Sequence, residues 1–181
     1  MEILDILILG SGPAALCLAS ELAKQNLNIK GISTKSPYEK WENTYGIWAS
    51  ELEEFGLASL LSHRWSKTVS YFGDGIKDKG NSPTKHYYDY GLINQEAFQN
   101  ELLKTCKGIQ WLNETAKLIK SENKISEVIC SSGLKLKARL VIDASGHKSK
   151  FIKRPFLKEV AQQAAYGIVG KFSTPPVKKD Q

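Results

Sequence analysis

Residues 3–9 read Ile-Leu-Asp-Ile-Leu-Ile-Leu, a nearly continuous apolar run. Such a run predicts a strand buried on both faces. Gly10-Ser11-Gly12-Pro13-Ala14-Ala15 follows at once, and Leu16, Leu18, Ala19, Leu22 and Ala23 then recur at helical spacing, predicting a helix to about residue 25. Asn26 ends it, and 27–32 predicts a second strand. A strand, a glycine turn, a helix and a strand thus open the chain.

The pattern then changes. Residues 37–50 are aromatic and irregular, holding Tyr38, Trp41, Tyr45 and Trp48. A short helix is predicted over 50–61, a strand over 68–72, a polar glycine-rich loop over 73–85 and an extended segment over 86–90. Residues 95–105 form an amphipathic helix pattern, with Phe98, Leu102 and Leu103 on one stripe. Three or four short strands are predicted between 109 and 138, with turn signals at 121–123 and 131–133. A buried strand at 140–142 ends in Asp143-Ala144-Ser145-Gly146, and a last strand is predicted at 164–172, ahead of Pro175-Pro176.

Composition narrows the class. The 181 residues are 41% hydrophobic and 24% charged, which excludes a disordered chain, a collagen-like repeat and a coiled coil. No apolar run approaches the roughly 20 residues of a spanning helix, and Glu2 and Asp5 at the start do not fit a signal peptide. Cys17, Cys106 and Cys130 are far apart and odd in number, the pattern of small buried hydrophobes in a reducing compartment. His63, His86 and His147 have no metal-ligand spacing, so no metal site is expected. The net charge of +6, with a mild cluster at Lys148, Lys150, Lys153 and Arg154, comes with no nucleic-acid motif and suits an anionic membrane surface equally well.

The glycine turn carries the first chemistry. Gly10 permits a tight turn, Gly12 permits close approach of a pyrophosphate, and Ala15 sits where a third small residue lets helix pack on strand. Ser11, Pro13 and Ala14 complete the turn and open the helix, whose N-terminus offers unpaired N–H groups to phosphate. Where an acidic residue normally holds the ribose, the second strand ends in Ser33-Thr34-Lys35. Ser33 can bond a ribose hydroxyl, or the three residues can receive a 2′-phosphate and favour NADP. The interposed meander of short strands favours FAD, because FAD-binding domains of the glutathione-reductase type are threaded that way. Their closing strand returns beside the first turn, and the small Ala144-Ser145-Gly146 ending lets its backbone pass close to the cofactor. The fold class is therefore α/β, a Rossmann-like FAD/NAD(P)-binding fold with inserted antiparallel strands.

At this point the chain resembles the FAD-dependent lycopene cyclases of plants and photosynthetic bacteria. Asp5-Ile-Leu-Ile-Leu-Gly-Ser-Gly-Pro-Ala-Ala-Leu is similar to their opening motif, and Trp41-Glu42-Asn43-Thr44-Tyr45-Gly46-Ile47-Trp48 is similar to their more specific Trp-Pro-Asn-Thr-Tyr-Gly-Val/Ile-Trp string. His63-Arg64-Trp65, Val69-Ser70-Tyr71-Phe72, Tyr90-Gly91-Leu92, Asp143-Ala144-Ser145-Gly146 and Ala165-Tyr166-Gly167-Ile168 also follow the family pattern. Lys40 and Glu42 depart from it, standing where prolines are usual.

The resemblance implies a reaction without net redox change, in which a linear polyene end is protonated and closes a six-membered ring. It implies FAD, with NADPH as electron source, and lycopene as substrate, with a cytoplasmic chain placed peripherally on a photosynthetic or inner membrane. Asn43, Thr44, Tyr45 and Gly146 join the expected flavin contacts, and Trp41 and Trp48 offer ring faces to a cation, or else pack their loop against the sheet. Residues 1–181 are then an FAD-binding domain with a substrate-side insertion over roughly 36–105. Known members run well beyond this length, so the chain is expected to be their N-terminal portion and the catalytic acid to lie beyond Gln181. Of the acids present, Asp89 and Asp143 are conceivable donors, Asp143 being better suited to orienting its loop. A flavin oxidoreductase or hydroxylase on the same fold, and a non-catalytic flavin-binding remnant, remain the alternatives.

Overall fold

Strand β1 (Ile3–Leu9) takes the central place that its apolar run predicts, with Leu4, Ile6, Leu7, Ile8 and Leu9 all buried. The structure is a computed structural model and describes residues 2–70, 84–147, 149–152 and 173–174. The chain divides into two units, Met1–Glu42 with Glu96–Leu157 and Asn43–Gln95 with Lys158–Gln181.

In the first unit, helix α1 (Pro13–Leu22) connects β1 to the parallel strand β2 (Ile29–Ser33). The helix stops at Leu22 instead of running to residue 25, because Gln25 and Asn26 are exposed and no packing holds another turn. Strand β8 (Gln110–Asn113) lies parallel outside β2, and β11 (Lys135–Asp143) lies parallel on the other side of β1. Beyond β11 come β10 (Ile125–Cys130) and β9 (Ala116–Glu122), both antiparallel, giving the order β8-β2-β1-β11-β10-β9.

The strands expected up to 138 and over 140–142 join here, so that β11 is one nine-residue strand. Its first part, from Lys135 to Ala138, pairs with β10, and its run from Lys137 to Asp143 pairs with β1. Asn123 and Lys124, both with positive φ, make the tight turn between β9 and β10. One sheet face packs Ile6 and Ile8 on Ala15 and Ala19 of α1 and on Cys106, and a second cluster gathers Leu7, Leu9, Ile32, Val128, Cys130 and Ala138. Helix α3 (Gln95–Thr105) has the predicted bounds and buries Phe98, Leu102 and Leu103, but also Gln99.

In the second unit, β3 (Gly46–Trp48), β7 (Tyr90–Ile93) and β4 (Leu61–Trp65) form an antiparallel sheet in the order β3-β7-β4. The single helix predicted over 50–61 is instead α2 (Ala49–Glu54), a short 3-10 turn (Ala58–Leu60) and the start of β4. Gly56 breaks it: its φ of +69° lets Gly56 N–H reach the Glu53 carbonyl and Leu57 N–H reach that of Leu52, the Schellman closure of a helix. Strands β5 (Val69–Ser70) and β6 (Thr84–Lys85) pair with each other. The expected extended segment at 86–90 bends at Tyr87-Tyr88 before β7 begins. Of the loop predicted over 73–85, Thr84 and Lys85 form β6 instead, and residues 73–83 lie outside the described residues, as do Tyr71-Phe72, the strand over 164–172 with Ala165-Tyr166-Gly167-Ile168, and Lys148, Lys153 and Arg154.

Candidate functional site

The order of the first sheet reverses direction at β1: the chain goes to β2 on one side and returns through β11 on the other. Ligands of open α/β sheets bind in the crevice beyond the carboxyl ends of the strands at such a point. Gly10 sits there. Its N–H donates to the Ile32 carbonyl at 2.8 Å, and Ala144 N–H donates to the Leu9 carbonyl at 2.9 Å, tying both neighbouring strands to the turn. Gly10 has φ +108°, and a Cβ on it would stand 2.4 Å from the Ala144 carbonyl oxygen. The close approach of the backbone after β11 therefore requires glycine at position 10.

Gly12 is different. It has extended backbone angles, and a Cβ placed on it would meet nothing within 4 Å. It is the N-cap of α1, without a side-chain cap bond, and Pro13 opens the helix. Leu16 N–H donates back to the Gly12 carbonyl, so the N–H groups of Ala14 and Ala15 precede the first intrahelical bond. Ala15 is fully buried on the sheet side, whereas Ala14 is exposed. The result is an open cradle with free donors and the positive end of a helix, which is what a pyrophosphate requires. The residues present fit a dinucleotide.

At the end of β2, Ser11, Ser33 and Lys35 close a ring of hydrogen bonds. Ser11 Oγ donates to the Lys35 carbonyl at 2.9 Å, the Ser11 and Ser33 hydroxyls are 2.9 Å apart, and Lys35 N–H donates to Ser33 Oγ at 3.2 Å. Each hydroxyl has one proton, so with Ser11 committed to Lys35 the proton between the serines belongs to Ser33. Both oxygens keep lone pairs and offer acceptors. A cleft of about 210 Å³ adjoins this ring, lined by Ser33, Lys35, Tyr38, Trp111 and Asn113 among others. Trp111 lies across Gly31, where a Cβ would be 2.2 Å from its ring, and its buried indole N–H has no partner.

The loop after β2 is fastened from below. Gln99 of α3, 5% exposed, donates from Nε2 to the carbonyls of Pro37 and Glu39, both at 2.8 Å. Trp41, 8% exposed, sets its indole N–H 3.4 Å from the Ser11 carbonyl and its ring edge-on to Phe98. Lys35 Nζ pairs with Glu42 at 2.7 Å in the open, and that bond raises the Lys35 pKa and lowers that of Glu42.

The first unit thus brings together Gly10, Ser11, Gly12, Pro13, Ala14, Ala15 and Ser33, with Gly146 one residue beyond the backbone that Gly10 touches. Asn43, Thr44, Tyr45 and Trp48 belong to the second unit. Asn43 and Thr44 are exposed there, and Tyr45 is half-buried, its carbonyl accepting from Ile93 N–H. Trp48 packs against His86, Tyr88 and Tyr90. Asp89 receives Arg64 Nε at 2.6 Å, and Glu53 receives Arg64 Nη1 at the same distance.

Asp143 orients its loop. Burial alone would raise its pKa, but bonds from Ser145 and Ser149 outweigh that and hold the carboxyl below its ordinary value. Burial, helped by Cys17, pushes the Cys106 thiol up to about 11. Sequence reasoning missed Gln99 and the Lys35–Glu42 pair. A buried glutamine on a helix stripe gives no periodic signal, whereas opposite charges seven positions apart flanking one loop were a usable one. Among the described residues no group of three or more His, Cys, Asp or Glu could hold a metal ion, and no helix is long and apolar enough to cross a membrane.

A family model described as lycopene cyclase protein matches residues 5–181. The chain is 45% identical over 179 residues to a lycopene beta cyclase of Synechococcus elongatus, covering 98% of this chain and 42% of that protein. It is 30% identical to the chloroplastic lycopene beta cyclase of Arabidopsis thaliana, covering 99% and 35%. The chain therefore spans less than half the length of these relatives. Among solved structures it resembles p-nitrophenol 4-monooxygenase PnpA from Pseudomonas putida, with TM-score 0.58 and 20% identity over 83% of this chain and 43% of that one. It also resembles halogenase PltM in complex with phloroglucinol and FAD, with TM-score 0.54 and 16% identity over 78% and 34%. At these identities the two likenesses establish the fold.

Proposed function

The chain belongs to the lycopene cyclase protein family, and from that premise we propose that it carries the FAD-binding part of an enzyme that cyclises the end group of lycopene. The observation that supports this reading most strongly is the open cradle at Gly12 beside the closed turn at Gly10, at the reversal point of the sheet. The N–H groups of Ala14 and Ala15 would bind the pyrophosphate, Ser33 and Ser11 would accept from a ribose hydroxyl, and Gly146 would leave room for the cofactor past β11. Bound FAD, kept reduced by NADPH in this reading, would supply the reduced flavin of a reaction without net electron transfer. Trp48 in its aromatic cluster is the proposed contact for the polyene, because ring faces favour developing positive charge without trapping it. Trp41, buried under the glycine turn, serves by packing. An apolar substrate dissolved in lipid favours a peripheral place on the membrane surface.

The test has two readouts. Purified chain supplied with FAD should retain a flavin absorbance through gel filtration, and expression in lycopene-accumulating cells should report ring formation in the extracted pigments. Flavin retention with NADPH-dependent oxygen consumption and no pigment change would move the assignment to a flavin hydroxylase. Failure to retain flavin would remove the reading.

A further inference from the structure

The sequence alone leaves Ser33-Thr34-Lys35 able to serve either a free ribose or a 2′-phosphate, and the structure separates the two. Lys35 is the positive side chain that lines the cleft beside Ser33, and so the natural partner of a 2′-phosphate. Its Nζ is held 2.7 Å from Glu42, with both side chains solvated at 59% and 78% exposure. Glu42 therefore neutralises that charge and adds a carboxylate that repels a phosphate dianion. The hydroxyl ring acts in the same direction. Ser11 donates to the Lys35 carbonyl and Ser33 donates to Ser11, so Ser33, which lines the cleft, keeps a lone pair and no proton for a ligand there. A ribose 2′-hydroxyl can donate to such an oxygen, whereas a phosphate, which has only acceptors, cannot.

We propose that Glu42, acting through Lys35, makes this site select dinucleotides with a free adenosine 2′-hydroxyl against 2′-phosphorylated ones. The inference rests on the reading of the cradle as a dinucleotide site. NADPH, where it serves as electron source, is then excluded from the resident cofactor's place.

The experiment compares ADP-ribose with 2′-phospho-ADP-ribose, which share the pyrophosphate and differ in one group, by fluorescence titration of the full chain at low ionic strength. The native chain should bind ADP-ribose more tightly. In Glu42→Gln the ratio of the two dissociation constants should shift by about fivefold toward the phosphorylated ligand, the scale of one exposed ion pair. That shift should shrink in high salt, where exposed charges are screened, and vanish in Lys35→Met/Glu42→Gln. A ratio within about twofold of native in Glu42→Gln would overturn the role of Glu42. No binding of ADP-ribose to the native chain would instead overturn the dinucleotide reading beneath it. Residue 42 is exposed, so loss of fold does not confuse the comparison.

Discussion

The hydroxyls of Ser11 and Ser33 meet at 2.9 Å across 22 residues of sequence, fastening the glycine turn to the end of the second strand. Both also bond Lys35, one to its carbonyl and one to its N–H, so the three residues stand or fall together. Ser11→Ala and Ser33→Ala should each cost about 1 kcal/mol, and the double variant should cost less than their sum by about 0.5 kcal/mol or more. Urea unfolding of the four chains measures this. Strict additivity would show that the ring contributes nothing beyond its separate bonds.

The two glycines of the turn should respond in opposite ways. Gly10→Ala combines a positive φ with a Cβ driven into the Ala144 carbonyl, and should cost more than about 2 kcal/mol. Gly12→Val meets open space in an ordinary extended conformation and should cost about 1 kcal/mol or less. Yet it fills the cradle, so flavin retention should be lost while the fold survives. A Gly12→Val chain that keeps flavin would show that the cofactor does not lie there.

Gln99→Leu keeps the volume and leaves the carbonyls of Pro37 and Glu39 without their donor. The expected cost is about 2 kcal/mol, typical of buried acceptors stripped of a partner. Limited proteolysis should also find the segment 34–42 opened. Unchanged cleavage there would mean that Trp41 alone holds the loop.

Asp143 gives a signed pH dependence. Its folded pKa lies below the unfolded value of about 3.9. Its contribution is therefore complete above that pH and is lost as pH falls through the lower folded value. Asp143→Asn should reduce stability at neutral pH and flatten the acid limb of the stability profile below about pH 4. An acid limb as steep as that of the native chain would assign the drop to other carboxylates.

The chain's local instructions were legible. The continuous apolar run at 3–9, the Gly10–Ala15 turn and the small Ala144-Ser145-Gly146 ending each declare a backbone requirement that neighbouring residues state together, and the closing strand does return beside the first. The α3 stripe was equally plain, because burial on one helical face repeats with a known period. The helix expected over 50–61 instead ends at Glu54, because the positive φ of Gly56 closes it.

What only the tertiary structure decided is who meets whom. The parallel pairing of β1 with β2 and β11 brings Ser33 to Ser11 and Ala144 to Gly10, and packing of α3 brings Gln99 under Pro37. Lys35, free in the sequence to receive a phosphate, is spoken for by Glu42 once the loop is folded. Spacing along the chain fixes backbone shape and burial, which are local. Partners such as Ser33 for Ser11 and Gln99 for Pro37 are chosen by contacts between distant segments, and no period in the sequence records them.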